Sequence, residues 1–387
     1  MRLPLHYELN EIQHLGKVHQ PKGITVVFGG QAGSEGKGAI GGWLARRYDW
    51  AIAAATFMPN AGHTYVDEHG ADVVVTQLPV GMISPRVDTL AMGASSVINL
   101  EQCMTEIDRY DQQFDVQRRL VIHPRAQVML PEYVDWEGEH LQYIASTAKG
   151  CGAALAAKVR REQSVVMAKD HPTLKEWVKD DFDLWINGVV DKGGAVLAEQ
   201  SQGFDLDIHH GTEYPYCTSR QCTPSQMCAD LGLEARLITN SIAVVRTFPI
   251  KVGNARGHSG EYSSPETDWG SVSQSAGRRV EERTTVTDRV RRVFEFDYDR
   301  INEMSQICRP TQIALTFADY IDPSIFGMTQ EVYANEHYHT MIRASRHVFD
   351  FLYHLERAVA RPTFNPAVRI LKTGPQDDHT LNLGLSL

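Results

Sequence analysis

Apolar residues are spaced along the first hundred positions so as to predict alternating strands and helices. Residues 24–28 are a β-branched and aromatic run, too short for a helix, and predict a strand. A glycine-dense stretch over 29–38 follows, and residues 39–48 are helix-compatible. Residues 51–56 predict the next buried strand, and 73–78 and 89–92 two more. A helical pattern over 100–110 opens near Asn99. Further on, 195–199, 242–248 and 313–316 read as strands, and 340–359 as a helix with mixed faces. Residues 253–270, rich in Gly, Ser and Glu, predict a mobile loop. There is no internal repeat. The alternation predicts an α/β fold with a central, mostly parallel sheet flanked by helices. Length permits two or three domains, but one sheet with helical and loop excursions over 1–387 is the expected organisation.

Composition narrows the function. The 387 residues are 42% hydrophobic and 22% charged, within the range of a chain with a large buried core. A net charge of -10 and a pI near 5.9 argue against a nucleic-acid-binding surface, which needs a basic stripe. The six cysteines form no C-x-x-C pair and lack nearby histidines at metal-ligand spacing, so reduced thiols are expected. The polar first twenty residues and the lack of any membrane-length apolar run predict a cytoplasmic protein without membrane contact.

Two loops carry candidate chemistry. Gly29-Gly30-Gln31-Ala32-Gly33-Ser34-Glu35-Gly36-Lys37-Gly38 offers glycines through which backbone N–H groups approach an anion, a lysine to neutralise it, and a helix start behind. It departs from the strict P-loop because Gly38 stands where a magnesium-binding hydroxyl would be. The alternative is an ordinary glycine turn with a solvated Lys37. The second loop, Asn60-Ala61-Gly62-His63-Thr64, lies at a predicted strand end, where open α/β sheets collect ligands. Its histidine either faces a transferring phosphoryl group or is structural.

These two strings in this order resemble the adenylosuccinate synthetase family, whose loops read G-D-E-G-K-G and N-A-G-H-T. Ser146-Thr147-Ala148-Lys149-Gly150-Cys151-Gly152 is similar to the family's T-T-G-R-G-x-G, and Lys158-Val159-Arg160-Arg161 to the basic helix after it. Gln202-Gly203, Asp207 and Gly211 through Ser219 resemble Q-G-x-x-L-D-x-x-x-G-T-Y-P-x-V-T-S. The resemblance covers most of 24–375. It implies a ligase with the family's P-loop-like α/β fold, using magnesium and a nucleoside triphosphate. Gly33, Glu35, Gly36, Lys37, Gly38, Gly62, His63, Thr64, Asp319, Thr373, Gly374 and Pro375 would hold the triphosphate. Ser34, Asn60, Ala61, Thr147, Arg161, Gln202, Cys217, Thr218, Val252 and Gly253 would hold the purine nucleotide, with Arg161 crossing from the other subunit of a homodimer. Thr287, Arg289 and Arg291 would bind aspartate, Ser34 and Gly62 would touch magnesium, and Ser34, Lys37, His63 and Gln202 form the implied catalytic set. Read from the residues alone, 158–161 is equally a solvated basic face, Gln202 a polar loop residue, and the arginines a surface ion-pair patch.

Two departures carry information. Ser34 stands where the family has its catalytic aspartate, and a hydroxyl is a poor proton acceptor. Either the protein is an inactive nucleotide binder or its substrate differs. Guanine carries a 2-amino group beside N1, and serine leaves room for it. The G-S-E-G-K-G spelling resembles a bacteriophage branch of the family that condenses dGMP with aspartate toward 2,6-diaminopurine deoxynucleotides. The other reading within the family is a ligase acting on IMP with GTP. The second departure is Thr316-Phe317-Ala318-Asp319, where the family's guanine-reading T-K-x-D has lost its lysine; ATP or dATP is then the expected donor.

Overall fold

The computed structural model describes residues 20–254, 257–284, 289–329, 345–385 and 387. Ile24–Gly29 (β1) is buried along its whole length, which its β-branched sequence suits, since a strand covered on both faces needs no polar side. It leads through the glycine turn into Lys37–Arg47 (α1) and back to Trp50–Ala55 (β2). The other strands of the main sheet are Val87–Met92 (β3), Leu120–Ile122 (β4), Val196–Glu199 (β5), Ile238–Arg246 (β6), Gln312–Thr316 (β7), Ala367–Lys372 (β8) and Thr380–Asn382 (β9).

Their order is β9-β8-β7-β6-β1-β5-β2-β3-β4. Every neighbouring pair is parallel except β8 with β9. The expected mostly parallel α/β architecture is therefore the observed one. Alternate residues of β1 enter different cores: Val27 joins Trp43, Leu44 and Leu197 on one face, while Val26 and Phe28 join Ala198, Val245 and Met304 on the other. The carboxyl ends of β1, β5 and β6 consequently meet mid-sheet, and the chemistry-bearing turns all leave from there.

Four more helices matter below: Leu100–Phe114 (α2), Pro131–His140 (α3), Cys151–Arg160 (α4) and Arg346–Val359 (α5). Asn99 caps α2 by accepting from the Gln102 N–H, so the helix starts where its cap signal lies.

The strand predicted over 73–78 forms as Asp72–Val75, so it ends early and stands outside the main sheet. Asp72–Val75 pairs antiparallel with His63–Val66 in a separate hairpin, and the Glu106 carboxylate takes the N–H groups of Thr76, Gln77 and Leu78, ending the strand. The loop predicted mobile over 253–270 contains the strand Glu266–Thr267, paired with Arg292–Phe294, and within it the Tyr262 hydroxyl donates to buried Asp205. Of the helix predicted over 340–359, positions 340–344 lie outside the described residues, and α5 forms the rest.

Candidate active site

The glycine turn is shaped from beneath by a buried acid. Glu35 is fully buried, and its Oε1 accepts from the N–H groups of Gln31 (3.1 Å) and Gly33 (2.8 Å), while Oε2 accepts from Lys37 Nζ at 2.7 Å. The inward carboxylate satisfies two loop donors and fixes the ammonium at the start of α1. Gly33, Ser34 and Gly36 have left-handed φ values of 86°, 57° and 90°. That conformation is easy for glycine and strained for serine, so Ser34 is held by the loop rather than by its own preference. Ser34 is exposed. No side chain caps α1, which leaves its first-turn N–H groups available to an anion.

The end of β5 presses on this turn. A Cβ on Gly203 would lie 2.1 Å from the Gln31 carbonyl oxygen and 2.5 Å from Glu35 Oε1, so glycine is required there. Its neighbour Gln202 sits at φ 65°, half-buried, its amide held by no hydrogen bond among the described residues. The second loop packs on α1 just as closely: a Cβ on Gly38 would lie 2.9 Å from the Thr64 nitrogen. The two loops therefore share one cleft.

His63 is buried there, stacked on Phe57 at 4.1 Å between centroids, with Nδ1 2.5 Å from Glu199 Oε1. Glu199 also accepts from the Val80 N–H at 3.2 Å. A carboxylate on Nδ1 fixes the ring and leaves Nε2 as the free nitrogen. Gly62 and Thr64 are exposed, Ala61 is buried, and Asn60 carries a buried Oδ1 with no partner among the described residues.

Around the Thr147 turn, Glu137 of α3 takes the N–H groups of Gly150 (2.8 Å), Gly152 (2.6 Å) and Ala153 (3.3 Å). The start of α4 is thus already occupied by a carboxylate. Thr147 is exposed beside it. Lys158 is only partly exposed, and its ammonium donates to the carbonyls of Ala94 and Arg125 at 2.8 and 2.7 Å. Arg161 ends the helix at φ 60°, exposed, and no contact joins it to the glycine turn of its own chain among the described residues. Thr218 is fixed by its N–H to the Leu206 carbonyl at 2.7 Å; Cys217 precedes it, and burial pushes its thiol up.

Of the aspartate set, Thr287 lies outside the described residues. Arg289 is exposed; its carbonyl accepts from the Thr284 N–H at 2.8 Å and its N–H donates to Thr284 Oγ1 at 3.0 Å, while Arg291 donates its N–H to the Glu282 carbonyl at 2.9 Å and burial lowers its pKa. Val252 and Gly253 abut this segment, for a Cβ on Gly253 would lie 2.2 Å from the Val290 oxygen. Buried Arg246 links the segment to the glycine turn: it donates to the Ser34 carbonyl at 2.9 Å, pairs with Glu282, and lies 3.9 Å from the Phe317 ring centroid.

The loop after β7 closes the far side. Thr316 Oγ1 donates to the Glu35 carbonyl at 2.7 Å, and Asp319 is buried in an ion pair with Arg278. Burial raises the Asp319 pKa, opposed by that guanidinium. Thr373 Oγ1 donates to the Met328 carbonyl at 2.8 Å, Gly374 packs on His379, and Pro375 is exposed.

Four supporting residues escaped the sequence reading. Glu199 and Arg246 each end an apolar strand, and a charge in that place was the available signal. Glu137 and Arg278 carried none, because only folding brings them to their partners.

An uncapped helix start and an acid-backed imidazole, meeting at the carboxyl edge of a parallel sheet, define a nucleotide-handling α/β enzyme. The adenylosuccinate synthetase family profile matches residues 26–176 and 166–340. The N6-succino-2-amino-2'-deoxyadenylate synthase of Salmonella phage PMBT28 is 32% identical over 78% of this chain and 87% of its own length. The adenylosuccinate synthetase of Methanocaldococcus jannaschii is 31% identical over 93% and 96%. A solved structure of the cyanophage S-2L succinoaminodeoxyadenylate synthetase, bound to dGMP and to dATP as an energy donor, superposes with a TM-score of 0.78 at 29% identity, covering 95% of this chain and 97% of that one. The chain belongs to the adenylosuccinate synthetase family and is a carbon–nitrogen ligase. No helix among the described residues is long and apolar enough to cross a membrane.

Proposed function

We propose that this ligase, acting as a single catalytic unit over 1–387, condenses dGMP with L-aspartate, driven by ATP or dATP, to give 2-amino-2'-deoxy-N6-succinyladenylate. The observation that carries the reading is Ser34: a small neutral side chain, exposed at a left-handed position of the glycine turn, beside a Glu35 whose carboxylate faces inward. The turn therefore offers the purine N1 edge no free carboxylate, and it has room for a 2-amino group. The phage and cyanophage relatives support the same substrate.

In this mechanism Lys37 and the N–H groups of Gly36 and Gly38 hold the triphosphate. His63 Nε2 stabilises charge as the γ-phosphoryl group moves to O6 of the purine, so that the bond to the leaving diphosphate breaks as the O6–P bond forms. Glu199 positions the imidazole. Gln202 pairs with the base edge, and Asn60, Ala61, Thr147, Cys217, Thr218, Val252 and Gly253 surround the nucleotide. The N1 proton passes to a water held by Ser34 or to a carboxylate of the incoming aspartate. Aspartate, held by Thr287, Arg289 and Arg291, then attacks C6 through its amine and phosphate departs. Magnesium supplies charge neutralisation on the phosphates when bound. The Ser34 hydroxyl and the Gly62 carbonyl, oxygen donors at exposed positions, would be the contacts of this chain to that ion. With α4 already capped by Glu137, the nucleotide phosphate falls to Thr147 and to Arg161 of a second copy in a homodimer.

Aspartate-dependent phosphate release with dGMP and IMP side by side tests the reading. dGMP is expected to dominate, and Ser34→Asp to abolish that turnover. Preference of the unmutated chain for IMP assigns the ordinary adenylosuccinate reaction instead, and tight dGMP binding without turnover assigns an inactive nucleotide binder.

A further inference from the structure

The donor pocket carries a feature that bears on which base it accepts. Thr316 Oγ1 donates to the Glu35 carbonyl, and a Cβ on Gly36 would lie 3.6 Å from Thr316 Cγ2 and 3.9 Å from Phe317 Cε2. The loop that holds Asp319 therefore packs on the glycine turn, beside the place that the proposed function gives to the triphosphate. Asp319 is 3% exposed and does not stand alone: Arg278 Nη2 donates to its Oδ2 in an ion pair. The guanidinium is itself fixed, 4.2 Å from the Phe326 ring centroid and 5.6 Å from that of Tyr320. Phe326 is about half exposed, so an aromatic surface borders the pair.

We propose that Arg278, by capping one oxygen of Asp319, makes the donor pocket select adenine and reject guanine. Guanine presents two neighbouring donors, N1–H and the 2-amino group, and a free carboxylate accepts both with its two oxygens. With the guanidinium standing against Oδ2, a guanine donor directed at that oxygen meets a cation and its N–H groups in place of an open acceptor, which costs affinity. Adenine presents one amino donor and one acceptor, N1. The capped pair matches it with one carboxylate oxygen and the remaining guanidinium N–H groups. The inference rests on the proposed function for the location of the donor site. It adds a functional consequence: an enzyme whose substrate is a guanine nucleotide gains from a donor pocket that guanine fills poorly.

Phosphate release with dGMP and aspartate, measured for ATP and GTP on the full chain and on Arg278→Leu, tests this. kcat/KM of the unmutated protein is expected to favour ATP by about tenfold or more. In Arg278→Leu the ratio should fall to within about threefold, through the KM for triphosphate, with the KM values for dGMP and aspartate unchanged. A second arm needs no variant: purine riboside triphosphate, which lacks the 6-amino group, should show a KM about tenfold above that of ATP. A folded Arg278→Leu protein that keeps the ATP preference overturns the proposal, as does equal use of ATP and purine riboside triphosphate by the unmutated chain. Absence of dGMP turnover overturns the proposed function instead. ATP and GTP dissociation constants by calorimetry, on both proteins, then decide the role of Arg278 by the same ratios.

Discussion

Glu35 and Glu199 are carboxylates spent on neighbouring groups of the protein itself. Glu35 consumes its acceptor capacity on Gln31, Gly33 and Lys37, and Glu199 on His63 and Val80. Removing the negative charge behind His63 should weaken the imidazole's response to transition-state charge. Glu199→Gln is accordingly expected to lower kcat about 10–100-fold with little change in the KM for dGMP, read by steady-state kinetics. Lys372 gives a prediction in pH. Burial pushes its ammonium down to about 8, below the ~10.4 of an unfolded chain. Between those values the unfolded chain binds the additional proton, so the residue makes stability rise with pH there, and its penalty is fully present below about pH 8. Urea midpoints of the unmutated chain and Lys372→Met, compared from pH 7 to 10, should show the unmutated chain gaining on the variant as pH rises, by on the order of 2 kcal/mol. A difference independent of pH would refute this.

At the scale of elements, α4 depends on a residue of α3. Glu137 satisfies three N–H groups at its first turn, where no side chain of the helix's own sequence does so. Glu137→Ala should cost about 1–3 kcal/mol in denaturant unfolding, and the loosened Thr147 turn should raise the KM for dGMP more than that for ATP. Local signals were legible where the physics is local. Asn99 before a helical pattern placed the start of α2, and the mainly apolar runs of β1, β2 and β5 placed buried strands. The strand read over 73–78 ends at Val75 instead, because the group that ends it, Glu106, is thirty residues from Thr76 on α2.

For the whole molecule, the sheet's two-sided burial brings turns separated by nearly three hundred residues to one edge, Glu35 and Thr316 being joined by a hydrogen bond across 281 positions. Arg161 belongs to no such meeting among the described residues, and the proposed function places it at a neighbour's site. If so, Lys37→Ala and Arg161→Leu proteins should each be nearly inactive, and mixing them should restore about a quarter of the unmutated activity, since half the dimers then contain one complete site. Failure of mixed subunits to recover activity, with exchange verified, would remove the shared-site proposal.

The sequence by itself determined the parallel α/β plan, the glycine turn after the first strand and, through its two loop strings, the family. These are encoded in short strings whose backbone needs are local: glycines for left-handed turns, β-branched runs for buried strands. Tertiary structure alone decided which acid backs His63, which closes the start of α4, and which cation caps Asp319. Glu199, Glu137 and Arg278 reach their partners across 136, 13 to 16 and 41 positions, and a contact of that kind is set by packing rather than by the residues beside it.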